Sequence, residues 1–439
     1  IIVIIIINML LLYMLNAHEI VFSSDTINVG GEMLRIDPKA SGNGNQGEIF
    51  YLLNKERDPS GLITKRYKAG VDREVASTIS KSFTTPEIFL ETLKDLHLAG
   101  NVNYAQCKCL INAYTEAKAL EIISTTDPKS SPLEYKGCLF VEGEDGYDVH
   151  LVMNALLMNE NNNHVLAPTL ITENLSPQDI GKAAIAIAMA MNGLPDNLIH
   201  RDIKPGNILW IERGNQFIAI VIDFATARID GHDYMEMFNL MMGYESAGVL
   251  GSPGYMGPER MTKNIDGKTT EGPYTDTFSV GALLMKMLTK HTLEVKHNAV
   301  EKWTISAKLG NSNKSIADAI KHSQYPYLPL SNLICSSLEL SADKRIYDRR
   351  IPLVLAGLFV NAQKRINLHG ADQEATIKGL ERLIEFTIKI GGIGDLADDD
   401  AVMASIMMLP DVYRQTLKDV MRATNLEDLP AKLRNGGRG

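Results

Sequence analysis

The chain has 439 residues, of which 45% are hydrophobic and 22% charged, with a formal net charge of −9 at pH 7. That balance excludes a disordered or fibrous chain, and without a Lys/Arg stripe an acidic sequence argues against a nucleic-acid partner. The length predicts a domain of roughly 250 residues with flanking helical segments and an ample core.

Ile1 to Leu15 is almost wholly apolar, broken by Asn8. It is shorter than the ~20 residues of a comfortable membrane span and lacks the basic start of a signal peptide. Because residue 1 is isoleucine, Met9 and Met14 are candidate starts, and weak anchoring through residues 1–15 stays open. Cys107, Cys109, Cys138 and Cys335 do not have zinc spacing and read as reduced thiols in packing positions, which predicts a cytoplasmic setting.

From Glu32 to Tyr67 the pattern is strand, glycine turn, strand, polar turn, strand, the opening of an antiparallel sheet. Between Glu87 and Ile123 the apolar residues take the helical period, predicting two helices separated near Gly100. Leu133 to Val152 reads as extended segments around a turn at Gly143 to Gly146. After Ser176 and Pro177 the run DIGKAAIAIAMAMNGL predicts a helix that stops at Gly193 and Pro195. Short strands around Arg213-Gly214-Asn215 follow, and beyond Glu259 the sequence reads as mainly helical. A last helix is expected near Met407 to Met421, past the acidic run Asp398-Asp399-Asp400, with fraying from Asn435.

Gly42-Asn43-Gly44-Asn45-Gln46-Gly47 has the GxGxxG form, whose glycines let backbone amides approach phosphate oxygens. A dinucleotide fingerprint of this form needs a helix after it, whereas EIFYLL predicts a strand and hence a phosphate-covering hairpin. Lys65, 18 residues after Gly47, sits on the next strand, where an ammonium could reach phosphates; Lys68 is the rival. Strand alternation puts Lys65 and Tyr67 on one face.

The segment His200-Arg201-Asp202-Ile203-Lys204-Pro205-Gly206-Asn207 follows an apolar helix and precedes a strand. It resembles the catalytic loop HRDxKPxN of eukaryotic-type serine/threonine protein kinases. The resemblance implies that Asp202 orients the attacking hydroxyl, that Lys204 steadies the transferring phosphoryl, and that Asn207 holds a magnesium ion. Asp223-Phe224-Ala225 resembles the family's DFG with alanine for glycine, which implies that Asp223 binds the magnesium bridging the β- and γ-phosphates, the ion at Asn207 being a second one. Gly251-Ser252-Pro253-Gly254-Tyr255-Met256-Gly257-Pro258-Glu259 resembles GTPxYxAPE, the shelf under a serine or threonine acceptor. By the same resemblance Glu259 pairs with a buried arginine, expected at Arg365, and Asp276 buttresses the catalytic loop.

Glu116, with Ala119, Leu120 and Ile123 at helical spacing, is expected to pair with Lys65, Glu74 being the competitor. The hinge is expected near Phe140 to Gly143, with Ile49, Thr64, Leu209 and Ile222 walling the adenine site. Arg201 is expected to meet a phosphate on the activation segment, where Ser246 lies nearest the family's position.

The resemblance, covering roughly residues 35 to 375, implies an α+β, bilobal fold with a small antiparallel-sheet lobe and a larger helical lobe. The expected boundaries are an apolar segment 1–31, the small lobe with a helical insertion 32–154, the large lobe 155–370 and a helical extension 371–439. The implied activity is transfer of the ATP γ-phosphate to Ser/Thr hydroxyls of proteins, with Gly42, Gly44, Gly47, Ile49, Lys65, Glu116 and Leu209 holding ATP and magnesium held by Asn207 and Asp223. A pseudokinase scaffold and a small-molecule kinase are the alternatives. Departures from the family pattern in the upper lobe point to a bacterial or viral kinase, a secreted effector acting in a host cytosol among the options.

Overall fold

The computed structural model describes residues between 26 and 384, with breaks that include 127–133, 245–250, 262–270 and 365–373. The apolar segment Ile1 to Leu15, Ser246, Arg365 and the helix expected at Met407 to Met421 therefore lie outside the described residues. The chain divides into two compact units, Ile1–Ala167 with Asp223–Gly248 and Pro168–Ile222 with Val249–Gly439. The architecture is α+β, the first unit built on an antiparallel sheet and the second mainly helical.

The first unit is built on β1 (Thr26–Val29), β2 (Glu32–Ile36), β3 (Gly42–Gly44), β4 (Gly47–Leu53) and β5 (Pro59–Val71). Three helices follow, α1 (Arg73–Ser82), α2 (Pro86–Leu98) and α3 (Tyr104–Thr126), before β6 (Tyr135–Gly143) and β7 (Gly146–Asn154). These strands form one seven-stranded antiparallel sheet among the described residues, in the order β1-β2-β4-β5-β7-β6 with β3 paired to β4. One face carries the core of Ile27, Leu34, Leu52, Leu139, Val141 and Val152. The hairpin β8 (Leu157–Glu160) and β9 (Asn163–Leu166) closes the segment.

Helix α1 lacks a long apolar stripe and was not expected from the sequence; Asp72 starts it by accepting from the Val75 amide at 2.8 Å. Thr85 and Pro86 start α2 in the usual cap and first-turn order. Helix α3 is buried on several sides, through Leu110, Tyr114, Ala117 and Leu120 among others. Tyr114 stacks on Phe89 at 4.2 Å and meets Phe83 edge-on at 4.9 Å, tying the helices together.

The expected hinge at Phe140 to Gly143 is instead the end of a strand. Gly143 pairs with Gly146 across a two-residue turn, and the chain runs straight back as β7 beside β5. The reason is the Gly143-Glu144-Asp145-Gly146 sequence, a hairpin turn in which Gly146 takes a φ of 128°.

In the second unit α4 (Asp179–Ala190) is followed by β10 (Leu198–Ile199), β11 (Ile208–Arg213) and β12 (Gln216–Val221), the last two a hairpin. The buried alanines of α4 let a later helix approach closely, and a Cβ on Gly357 would come within 2.8 Å of the Gly181 carbonyl oxygen. Back in the first unit come β13 (Arg228–Ile229) and α5 (Tyr234–Met241). The second unit resumes with α6 (Pro273–Thr289), buried over most of its circumference.

The stretch expected to be helical after Glu259 contains a small sheet, β14 (Thr292–His297), β15 (Trp303–Leu309) and β16 (Ser312–Lys314). Its signal was the period-two alternation of TLEVKH and WTISAKL, which pairs Leu293 with Ala307 and Val295 with Ile305. Helices α7 (Ile316–Lys321), α8 (Leu328–Ser337) and α9 (Arg350–Lys364) complete the unit. No helix among the described residues is long and apolar enough to cross a membrane.

Candidate active site

In the first unit the glycine-rich segment is a hairpin, with Gly42 opposite Ile49 and Gly44 opposite Gly47. Gly47 is required by close approach: a Cβ there would stand 2.7 Å from the Arg66 carbonyl oxygen. Ile49 pairs with Lys65 and shares its face of the sheet. Thr64 does not join them. One residue before Lys65, it points from the other face, where its hydroxyl lies 3.1 Å from His150 Nδ1.

Lys65 is 7% exposed, and its ammonium donates to Glu116 Oε2 at 2.6 Å and to Asp223 Oδ1 at 2.8 Å. Burial opposes this cation, but the two carboxylates outweigh it and hold Lys65 above its ordinary pKa. Burial, helped by Asp223 and resisted by Lys65, raises Glu116 above the usual carboxylate range. The rivals are elsewhere. Lys68 is exposed and bonds Glu48 at 2.8 Å, and Glu74 is exposed on the first turn of α1. Tyr67, whose hydroxyl donates to Glu116, is a neighbour that motif reading did not assign.

Asp223 takes a φ of 69°, a conformation uncommon for a residue with a side chain, while Phe224 and Ala225 beside it are buried. The other site residue held this way is Arg201, also at 69°. Such positive-φ residues cost free energy and tend to persist where the surroundings enforce them.

In the second unit the catalytic-loop segment leaves β10 and is fastened by Asp276, which is fully buried. Its Oδ2 accepts from the His200 amide at 2.9 Å and its Oδ1 from the Arg201 amide at 2.8 Å. Arg349 donates to the same carboxylate at 2.9 Å and to the Leu198 and Leu194 carbonyls at 2.8 and 2.9 Å. On the loop, Lys204 Nζ bridges Asp202 Oδ2 and Ser252 Oγ, each at 2.6 Å. Asn207 turns its amide nitrogen to the Asp202 carbonyl at 2.8 Å and to Asp202 Oδ2 at 3.0 Å. Asp202 Oδ1 is buried without a hydrogen-bond partner among the described residues. Leu209 follows on β11, paired with Ile220.

Two pairings differ from expectation. Glu259 is held by Arg345, which grips both its oxygens at 2.7 and 2.8 Å, while the expected partner Arg365 lies outside the described residues. Arg345 comes shortly before α9 within a charged run, so its burial left no mark in the sequence pattern. The Arg201 guanidinium already holds a carboxylate, donating to Glu271, which also accepts from Arg260 Nε at 3.0 Å. All three side chains are nearly closed to solvent, at 3%, 3% and 5% exposure.

The protein kinase domain family matches residues 140–351. The probable serine/threonine-protein kinase PknB of Bifidobacterium longum is 26% identical over 220 residues, 49% of this chain and 26% of its own length. The serine/threonine-protein kinase AfsK of Streptomyces coelicolor is 29% identical over 164 residues, 36% of this chain and 18% of its own. Calcium-dependent protein kinase 2 of Arabidopsis thaliana is 28% identical over 145 residues, 33% of this chain and 20% of its own. These matches support a member of the eukaryotic-type serine/threonine protein kinase family. These matches span about a quarter or less of each relative's length, so they speak for the kinase domain alone. The glycine hairpin, Lys65 and Glu116 lie before the matched stretch of this kinase and stand on their own geometry.

Proposed function

We propose that this kinase transfers the γ-phosphoryl group of ATP to serine or threonine hydroxyls of protein substrates. The observation that carries the reading is the Lys204 bridge between Asp202 and Ser252, both at 2.6 Å. It joins the base to the segment resembling the acceptor shelf and leaves Asp202 Oδ1 for an incoming hydroxyl. In this reading Asp202 accepts or orients the hydroxyl proton, and Lys204 places a positive charge where negative charge gathers on the transferring group.

Lys65, kept charged by Glu116 and Asp223, contributes an ammonium for the nucleotide phosphates, with Gly42, Gly44, Gly47, Ile49 and Leu209 as further ATP-holding residues. The donor set suits magnesium, a hard cation that prefers carboxylate and amide oxygens. Asp223 in the first unit would offer it a carboxylate, and Asn207 in the second, whose amide nitrogen is committed to Asp202, would offer a second ion its amide oxygen. When bound, the ion supplies neutralisation of phosphate charge. Catalysis by the chain's own residues is then positioning and electrostatics.

The test is incubation of the purified protein with radiolabelled ATP, magnesium and a basic acceptor protein, followed by phospho-amino-acid analysis. Label in phosphoserine or phosphothreonine is expected. Label confined to a small molecule, or no transfer, overturns the reading.

A further inference from the structure

Tyr67 stands two residues after Lys65 on β5, so the two side chains leave the same face of the strand. It is 1% exposed. A purely space-filling role there would suit phenylalanine, because a buried hydroxyl without a partner is costly. The Tyr67 hydroxyl instead donates to Oε2 of Glu116, the oxygen that also receives Lys65 Nζ at 2.6 Å. The same ammonium lies 5.2 Å from the centroid of the Tyr67 ring.

We propose that Tyr67 is a positioning residue for phosphoryl transfer, its hydroxyl fixing the Glu116 carboxylate that in turn fixes the Lys65 ammonium. The inference rests on the phosphoryl-transfer reading above. Two donors converge on one oxygen, so Glu116 cannot turn away from Lys65 without losing both. The charged groups facing Glu116 are Lys65 on β5 and Asp223, with Tyr67 as a neutral donor and Cys109 on α3 nearby. Lys65 is the cation among them, and Tyr67 adds a hydrogen bond that favours the ionised carboxylate against its burial.

The experiment compares Tyr67→Phe, Glu116→Gln and the double variant in kinase kinetics and thermal melting. Removing one oxygen is expected to lower kcat/KM for ATP about tenfold, the size of one lost hydrogen bond to a charged group. Because the lost bond leaves Glu116 easier to protonate, the acid limb of the pH profile should move to higher pH. In the Glu116→Gln background Tyr67→Phe should cost little more. Unchanged kinetics and pH profile in Tyr67→Phe, or an equal loss in both backgrounds, overturns the proposal. A wild-type protein that transfers no phosphate sinks the functional reading instead. Melting then decides the clamp: additive shifts of the two substitutions refute it, and non-additive shifts sustain it.

Discussion

Arg345 and Glu259 meet through two parallel hydrogen bonds, Nη1 to Oε1 at 2.7 Å and Nη2 to Oε2 at 2.8 Å, with Arg345 1% exposed. The guanidinium also lies 4.8 Å from the centroid of the Phe278 ring and donates to the Glu339 carbonyl at 2.6 Å. Removing it would leave a carboxylate buried without its counter-charge. Arg345→Leu should therefore destabilise the fold by about 3–5 kcal/mol, measured by urea unfolding. Arg345→Lys should recover little, because an ammonium cannot make the forked contact or the flat stacking. A loss below 1 kcal/mol on the order of a surface pair would contradict this account.

A second expectation separates the two lysines of β5. Lys65 is buried between Glu116 and Asp223, whereas Lys68 is 61% exposed at its side chain beside Glu48. Lys65→Ala and Asp223→Asn should each abolish phosphate transfer, while Lys68→Ala should stay within about twofold of wild type, since exposed pairs contribute little. Transfer assays on the three variants check this. The reverse order for the lysines would move the phosphate contact along the strand.

Local signals were legible where chemistry fixes them. The glycine run announced a hairpin because a strand followed it, and strand alternation distinguished Lys65 from Lys68. Thr64, expected to wall the adenine site, lies on the face opposite Lys65, as alternation itself requires. Partners distant in sequence were less legible. Arg345, Arg349 and Glu271 sit in charged stretches that look like solvated surface, and only folding brings Arg349 to Asp276 and Glu271 to Arg201. The sheet at Thr292–Lys314 did carry a signal, the alternation of TLEVKH and WTISAKL, but in a segment framed by helices.

The Arg201–Glu271–Arg260 cluster predicts that phosphorylation of the activation segment is dispensable for activity. A buried carboxylate already neutralises the guanidinium that a phosphate would otherwise meet. Ser246→Ala, and phosphatase treatment of the wild type, should each leave activity within about twofold of the untreated wild-type protein. Glu271→Gln should lower it tenfold or more by removing the buried carboxylate that Arg201 and Arg260 share, a loss of about 1.4 kcal/mol for each tenfold step. Loss of activity on phosphatase treatment with recovery on autophosphorylation would reverse this.

His150 makes stability depend on pH. Burial, with the Arg66 guanidinium nearby, lowers its pKa to about 3. Between that value and the ~6.5 of the unfolded chain, the unfolded state binds a proton that the folded state does not, so stability falls as pH falls. From pH 6.5 to 4.5 the wild type should lose about 2 kcal/mol more than a His150→Gln variant, which cannot titrate. Denaturant unfolding of both proteins at the two pH values is the measurement. Parallel pH dependences would place a proton on His150 in the folded state.

The alanine at position 225 bears on whether the natural chain is catalytically impaired. In this structure the backbone strain of the segment falls on Asp223, at φ 69°, and Ala225 is not among the residues with positive φ. A Cβ at 225 therefore imposes no left-handed penalty, and the side chain is accommodated at 3% exposure. Replacing it by glycine should widen the unfolded ensemble and cost about 0.5–1 kcal/mol of stability. The Lys65–Asp223 contact and the buried Phe224 would remain, so Ala225→Gly should leave kcat within a few-fold of wild type. Activity rising by orders of magnitude on this single change would show that alanine holds the segment in an unproductive state. The chain would then act as a scaffold rather than as an enzyme. Steady-state kinetics of the two proteins, with a melting curve of each to register the entropic cost separately, distinguishes these outcomes.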